Sequence, residues 1–161
     1  MRCLLIDKII SLEKGRNITG IKNVTMSENF LQDHFPGFPV MPGVLQLEAV
    51  SQLASWLVFA TTGFASKARL SSVKRIRFKE FIVPGDQMRI ELELGLQEAS
   101  RAACDAKIYV NDRLKTEITR GQLVYVDVSE LEDPRKAKEH YDIITGNAPT
   151  GGYRAAKNGY L

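Results

Sequence analysis

Cysteine, histidine and tryptophan are scarce in this chain: Cys3 and Cys104, His34 and His140, and Trp56 are all that its 161 residues contain. The two cysteines stand far apart with no second Cys or His at ligand spacing, which argues against a zinc site and against a disulfide framework. They read as ordinary thiols of a reducing compartment, and the expected location is cytoplasmic. No glycine-rich phosphate loop occurs, and strands do not alternate with helices as a parallel nucleotide-binding sheet requires. Charge of one sign is also in short supply. A net charge of +3 is too small to argue for nucleic acid, though it would suit an acidic protein partner. Asp7 and Lys8 interrupt the apolar N-terminus and no small-residue cleavage site follows, so no secretory signal is expected. No membrane span is expected either. A span wants ~20 nearly uninterrupted apolar residues, and the longest apolar run is broken by Gln46, Glu48, Ser51 and Gln52.

What the chain does have is concentrated in Asp33–Gln52. Three of its six prolines, Pro36, Pro39 and Pro42, fall there. Each fixes φ, removes a donor and biases the preceding residue toward extended backbone, so His34–Met41 is expected to be a rigid elbow rather than helix. Gly37 and Gly43 allow tight turns or close approach of another backbone. An apolar helix is predicted from about Gly43 to Thr61 or Thr62. Val44, Leu47, Val50, Ser51, Ala54 and Val58 fill one face and Leu45, Ala49, Leu53, Trp56 and Ala60 another, so other structure should wrap it. Its first N–H groups have no internal partner and can hold an anion or a polarised carbonyl oxygen. Glu48 is a lone carboxylate on this helix, and Gln52, four residues on, shares its face and can orient it. Burying such a group costs free energy unless a partner or a function compensates.

The rest of the chain reads as strands and short turns. Cys3–Ile6 with Ile9–Leu12, and Ile18–Val24, are predicted strands around a turn at Gly15, with Met26–Gln32 a loop or helical turn. After the helix, residues 66–83 carry Lys67, Arg69, Lys74, Arg75, Arg77 and Lys79 against the single acid Glu80. Alternation predicts a half-buried strand from about Val73 to Val83. Its charges are either a solvated face or a docking patch. A turn at Pro84-Gly85-Asp86 leads to a strand with Met88, Ile90, Leu92, Leu94 and Leu96 inward. A strand over 101–110 with Ala102, Cys104 and Ala106 on one face leaves room for a helix. Asn111-Asp112 forms a hairpin tip. The last strand, 114–128, places Leu114, Thr116, Ile118, Arg120, Gln122, Val124 and Val126 on one side, with Gly121 a candidate bend. One domain over 1–130 is expected, followed by a C-terminal extension, 131–161. Its start is a short charged helix and its later part, from Asp142, is loosely ordered.

The segment HFPGFPVMPGVLQLEAVSQ, His34–Gln52, resembles the signature of the (3R)-hydroxyacyl-[acyl-carrier-protein] dehydratases. Leu4–Phe35 resembles the hairpin that leads into that signature, and Arg75–Leu94 the strand, turn and strand that follow the helix. The resemblance implies an α+β hotdog fold, an antiparallel sheet wrapped around one long central helix. It also implies homodimers that share active sites and sometimes assemble into hexamers. His34 would abstract the α-proton, and Glu48, supplied across the dimer interface, would protonate the departing β-hydroxyl. The Gly43 N–H would bind the thioester carbonyl, with Gln52 in support. Phe35, Pro39, Val40, Met41 and Leu45 would wall the acyl channel. Lys74, Arg75, Arg77 and Lys79 would dock an acyl carrier protein. No metal or redox cofactor is implied, since the substrate brings its own phosphopantetheine arm. The family's Pro-His-Arg-Tyr-Pro-Phe segment before the Leu-Leu pair is replaced here by Met1-Arg2-Cys3, which bears on the pocket rim and on chain-length preference.

The chemistry suits these residue types. An imidazole, with an ordinary pKa near ~6.5, is a neutral base at working pH. A carboxyl in apolar surroundings tends to keep its proton and can act as the acid. His140, in the charged tail, reads as structural or solvent-facing. Two alternatives share the fold: a hotdog thioesterase, which has no need of the His-Phe-Pro elbow, and a non-catalytic acyl-binding or assembly subunit.

Overall fold

The structure is a computed structural model that describes residues 4–33 and 37–147. The predicted strand start at Cys3, and the sites proposed at His34 and Phe35, lie outside the described residues. Strands β1 (Lys8–Glu13) and β2 (Asn17–Asn23) precede the short helix α1 (Phe30–Asp33) and the long helix α2 (Gly43–Thr61). Strands β3 (Ser66–Phe78), β4 (Gln87–Glu98), β5 (Arg101–Val110) and β6 (Arg113–Asp127) follow, then helices α3 (Val128–Leu131) and α4 (Pro134–Thr145). Among the described residues the strands make one sheet in the order β1-β2-β4-β5-β6-β3, antiparallel throughout.

The sheet curls around α2, giving the hotdog architecture that the resemblance implies. Met88, Ile90 and Leu92 of β4, the alternate positions Ala102–Val110 of β5, and Ile118 and Leu123 of β6 are buried with Ala49, Val50, Leu53, Ala54, Leu57, Val58 and Phe59 of the helix. Each large apolar side chain so buried is worth about 1.5–3 kcal/mol. Small residues set how near the helix can lie. A Cβ on Gly20 of β2 would sit 2.7 Å from Leu53 Cδ1. Helix α2 has the length and hydropathy of a membrane span, but more than half of that stretch is buried within this fold, and such a helix is commonly the core of a wrapped domain.

Four expectations about the strands are revised. Leu4–Ile6 are not strand, and β1 begins only at Lys8; the Leu5 N–H instead donates to Gln52 Oε1 on the helix, 2.9 Å away. Strand β3 begins at Ser66 and ends at Phe78, earlier at both ends than the alternation suggests. Leu96 faces solvent, because a bulge between Leu94 and Gln97 reverses the phase of β4. In β6 the inward set switches from Thr116 and Ile118 to Gly121 and Leu123 at Arg120, whose φ is +53°, so Gln122 and Val124 turn outward. Gly121 tolerates the bend because nothing larger fits: an added Cβ would lie 2.8 Å from Cys104 Sγ. The Asn111-Asp112 tip has both φ angles positive, the geometry of a tight hairpin whose twist matches its strands.

The C-terminal helices pack on the domain. Asp127 and Asp133 cap α3 and α4 by accepting from the Ser129 and Arg135 N–H groups. Those bonds, first that from the Ser129 hydroxyl to Asp127 and that from the Arg135 amide to Asp133, hold both carboxyls below their ordinary range. Helix α4 runs through Asp142–Thr145, where the composition suggests loose order, because Ala137, Tyr141 and Ile144 are buried. The Tyr141 ring meets those of Phe59 and Phe64 edge-on.

Candidate active site

One stripe of α2 is not covered by the sheet. Val44, Leu47, Glu48, Ser51 and Ser55 recur at helical spacing, and none is buried, while Gln46, Ala49, Val50, Leu53 and Ala54 between them are buried. Two cavities lie along this stripe. One sits at the start of the helix and contains Gly43; the other begins at Glu48 and runs toward the helix C-terminus.

The Gly43 cavity has a volume of about 750 Å³ and is lined by Val40, Met41, Val44, Leu47, Phe78 and Phe81, with Lys79 and Glu80 at its side. Its apolar walls are open: Val44 is 70% exposed, Phe81 65% and Phe78 50%. Phe38 meets Phe81 edge-on at 5.8 Å. The Phe78 ring rests on Gly43 so closely that a Cβ there would fall 2.7 Å from it, which is why the helix opens on glycine. The Pro42 carbonyl accepts from the Leu45 and Gln46 N–H groups. Among the described residues the Gly43 and Val44 N–H groups make no hydrogen bond, as expected for the first positions of a helix. The elbow is hung from Met41, whose N–H donates to Ile82 O at 2.8 Å. Its carbonyl accepts from Gln46 Nε2, and Gln46 Oε1 accepts from the buried Thr116 hydroxyl. The role of Gln46 was not foreseen; a polar residue inside the apolar run is the signal that points to it.

The Glu48 groove holds about 530 Å³ and has a different character. Gln52 Nε2 donates to Glu48 Oε1 at 2.9 Å while the Gln52 carbonyl oxygen accepts from Leu5, so the amide is fixed from both ends and orients the carboxylate. Glu48 itself is exposed, against the expectation of apolar burial, so any enclosure must come from outside the described residues of one chain. The far end of the groove is charged and aromatic. Buried Lys67 pairs with Glu132 and lies 3.9 Å over the Trp56 ring, whose edge also meets His140. His140 is therefore half-buried in the groove wall rather than facing solvent.

The remaining proposed residues are distributed as follows. Val40 and Met41 line the Gly43 cavity; Pro39 and Leu45 line neither cavity, and Leu45 packs against the core. Lys74, Arg75, Arg77 and Lys79 are all exposed on or just beyond β3, and none is in an ion pair among the described residues. Lys74 and Arg75 border a shallow depression with Thr119 and Arg120. Within one chain, then, Gly43 and Glu48 face separate cavities. Among the described residues no cluster of His, Cys, Asp and Glu could hold a metal ion.

A family model described as a FabA-like domain matches residues 1–119. The chain belongs to that family. It is 44% identical over 115 residues to the 3-hydroxyacyl-[acyl-carrier-protein] dehydratase FabZ of Pelotomaculum thermopropionicum, covering 71% of this chain and 82% of that protein. To the enzyme of the same name from Symbiobacterium thermophilum it is 38% identical over 133 residues, 82% and 93% of the two chains. The fold is similar to that of the dehydratase heterocomplex ApeI:P from Xenorhabdus doucetiae, with a TM-score of 0.55 at 18% identity, over 73% of this chain and 95% of that one. The FabA-like match ends within β6, so α3 and α4, with Glu132 and His140, lie beyond it.

Proposed function

We propose that this chain is a 3-hydroxyacyl-[acyl-carrier-protein] dehydratase, a lyase that removes water from (3R)-hydroxyacyl thioesters of fatty acid synthesis to give trans-2-enoyl thioesters. The observation that carries the assignment is its identity with dehydratases of that name across most of both chains. The sites are assigned as follows. His34 takes the Cα proton as the Gly43 N–H, at the positive end of the α2 dipole, binds the thioester carbonyl oxygen. The Cβ–O bond then breaks, and Glu48 in its acid form gives its proton to the departing oxygen, so water leaves and the enoyl double bond forms. The protons balance between imidazole and carboxyl, and the reaction needs no cofactor beyond the phosphopantetheine of the substrate.

The two halves of this site come from different protomers. What supports that reading is the separation of the Gly43 and Glu48 cavities along one uncovered stripe. The outer edge of β3, which pairs with no strand among the described residues, lies beside exposed Phe78 and Phe81 and offers a surface for a second copy. Enclosure by that copy would withdraw water from Glu48, which favours the acid form of a carboxyl. Dimers of this kind can assemble further, as trimers of dimers. The acyl carrier protein docks on Arg75, Arg77, Lys79 and Lys74, and the location is cytoplasmic. The test is to mix the protein with 3-hydroxyacyl carrier protein while following enoyl absorbance and free thiol. New enoyl absorbance without thiol is the expected result. Thiol release instead would make the chain a thioesterase, and the absence of both signals would overturn the enzyme assignment.

A further inference from the structure

We infer that the C-terminal helices α3 and α4 close the far end of the Glu48 groove and restrict the enzyme to short acyl chains. The inference rests on the dehydratase reading and deepens it. The order of atoms in the substrate sets the direction. The thioester carbonyl lies at Gly43 and Cβ at Glu48, so the acyl tail leaves Cβ along the groove that starts at Glu48. That groove follows α2 from Glu48 past Ser51 and Ser55 to Trp56, a path of about 12 Å at the helical rise per residue. Strand β3 runs back along the helix beside it, fixed at the near end by the Leu70 N–H to Ser51 Oγ, 3.3 Å. At the other end it is fixed by Lys67 over Trp56.

There the groove meets a wall. Glu132, on the link between α3 and α4, pairs with Lys67, whose side chain is 8% exposed, and the His140 ring of α4 meets that of Trp56. Leu131 fills in beside them. A methyl-ended tail that stops short of this wall lies among Ile6, Ala68, Leu70 and the Ser51 and Ser55 side chains. A longer tail must press apolar carbons against a buried ion pair and strip it of remaining water, which costs more than the burial of those carbons returns. Arg69, in no ion pair among the described residues, adds a further charge to the wall of the groove.

The experiment compares kcat/KM for 3-hydroxybutyryl, 3-hydroxyoctanoyl and 3-hydroxypalmitoyl carrier protein. The native enzyme should fall at least tenfold from the shortest to the longest. Equal or rising values would overturn the inference. Replacing the pair by apolar residues of similar size, Lys67→Met with Glu132→Leu, should raise the palmitoyl-to-butyryl ratio at least tenfold. An unmoved ratio in a variant that melts like the native protein would also overturn it. Should that variant not fold, Ser55→Phe, which narrows the groove from the helix side, must lower the octanoyl-to-butyryl ratio. If no thioester is dehydrated, the dehydratase reading falls. The groove is then tested by binding of enoyl pantetheine thioesters to the Glu48→Gln protein. Affinity that stops rising beyond octanoyl supports the wall, and affinity that climbs steadily to palmitoyl removes it.

Discussion

The two ends of the uncovered stripe on α2 differ in almost every respect. The Gly43 end is apolar and open, with its glycine pinned under Phe78 and Met41 tied to Ile82 and to Gln46 of α2. The Glu48 end is polar, with its carboxylate held by Gln52 and its far wall built from charges that pair with each other. The difference teaches that neither end is a site by itself. In the proposed mechanism one supplies oxyanion donors without an acid, and the other an acid without donors. Dehydration needs both, and in the proposed dimer two-fold symmetry would bring unlike ends of two identical chains together.

The sharpest way to break this comparison is to disable each end separately. His34→Ala and Glu48→Gln should each lower kcat by roughly 10²–10⁴ without lowering Tm. Mixed dimers of the two dead variants should recover part of the native activity. If mixed dimers form and stay inactive, the ends do not meet across chains. Next in size is the glycine. Gly43→Ala sets a methyl against the Phe78 ring and should cost about 1–3 kcal/mol of stability in a melting experiment, the range for an overpacked site. Pairing it with Phe78→Leu should restore Tm. If Gly43→Ala alone melts like the native protein, the contact with Phe78 is not what selects glycine.

Smaller again is the effect of charge outside both ends. Arg75→Glu with Arg77→Glu should raise KM for carrier-bound substrate several-fold and leave KM for a short pantetheine thioester near its native value. Equal changes would remove the docking role. The smallest effect is on pH. Hydrogen bonds hold the Asp133 carboxyl below its ordinary range, so its share of stability is complete above ordinary carboxylate pKa values. It is lost as pH falls through the lowered value. Asp133→Asn should therefore flatten the acid limb of Tm against pH slightly and leave the neutral region almost unchanged, whereas an unaltered acid limb would mean that the α4 cap does not report there.

Much of this was legible in the sequence. The helix limits at Gly43 and Thr61 and the alternation of β5 follow from proline placement and from periods of 3.6 and 2, signals carried by neighbouring residues. What escaped depends on contacts distant in sequence. Gly121 marks a candidate bend, but the phase reversal at Arg120, where β6 follows β5 past Cys104, is not legible from it. Gln46 is legible only as an oddity until Thr116, seventy residues on, is seen to donate to it. The exposure of Glu48 was misread for the opposite reason: an apolar sequence neighbourhood looks like burial, but the carboxylate sits on the one stripe the sheet leaves bare.

The outer edge of β3 has a practical consequence. From Ser66 to Phe78 it has one strand neighbour among the described residues, β6. If the proposed dimer forms along this edge, an extended peptide that copied the strand would offer the same ladder and the same side chains as a second protomer, without a helix behind them. Such a mimic would act as a decoy, blocking assembly without entering any catalytic cavity, and its potency would fall as the protein became more concentrated.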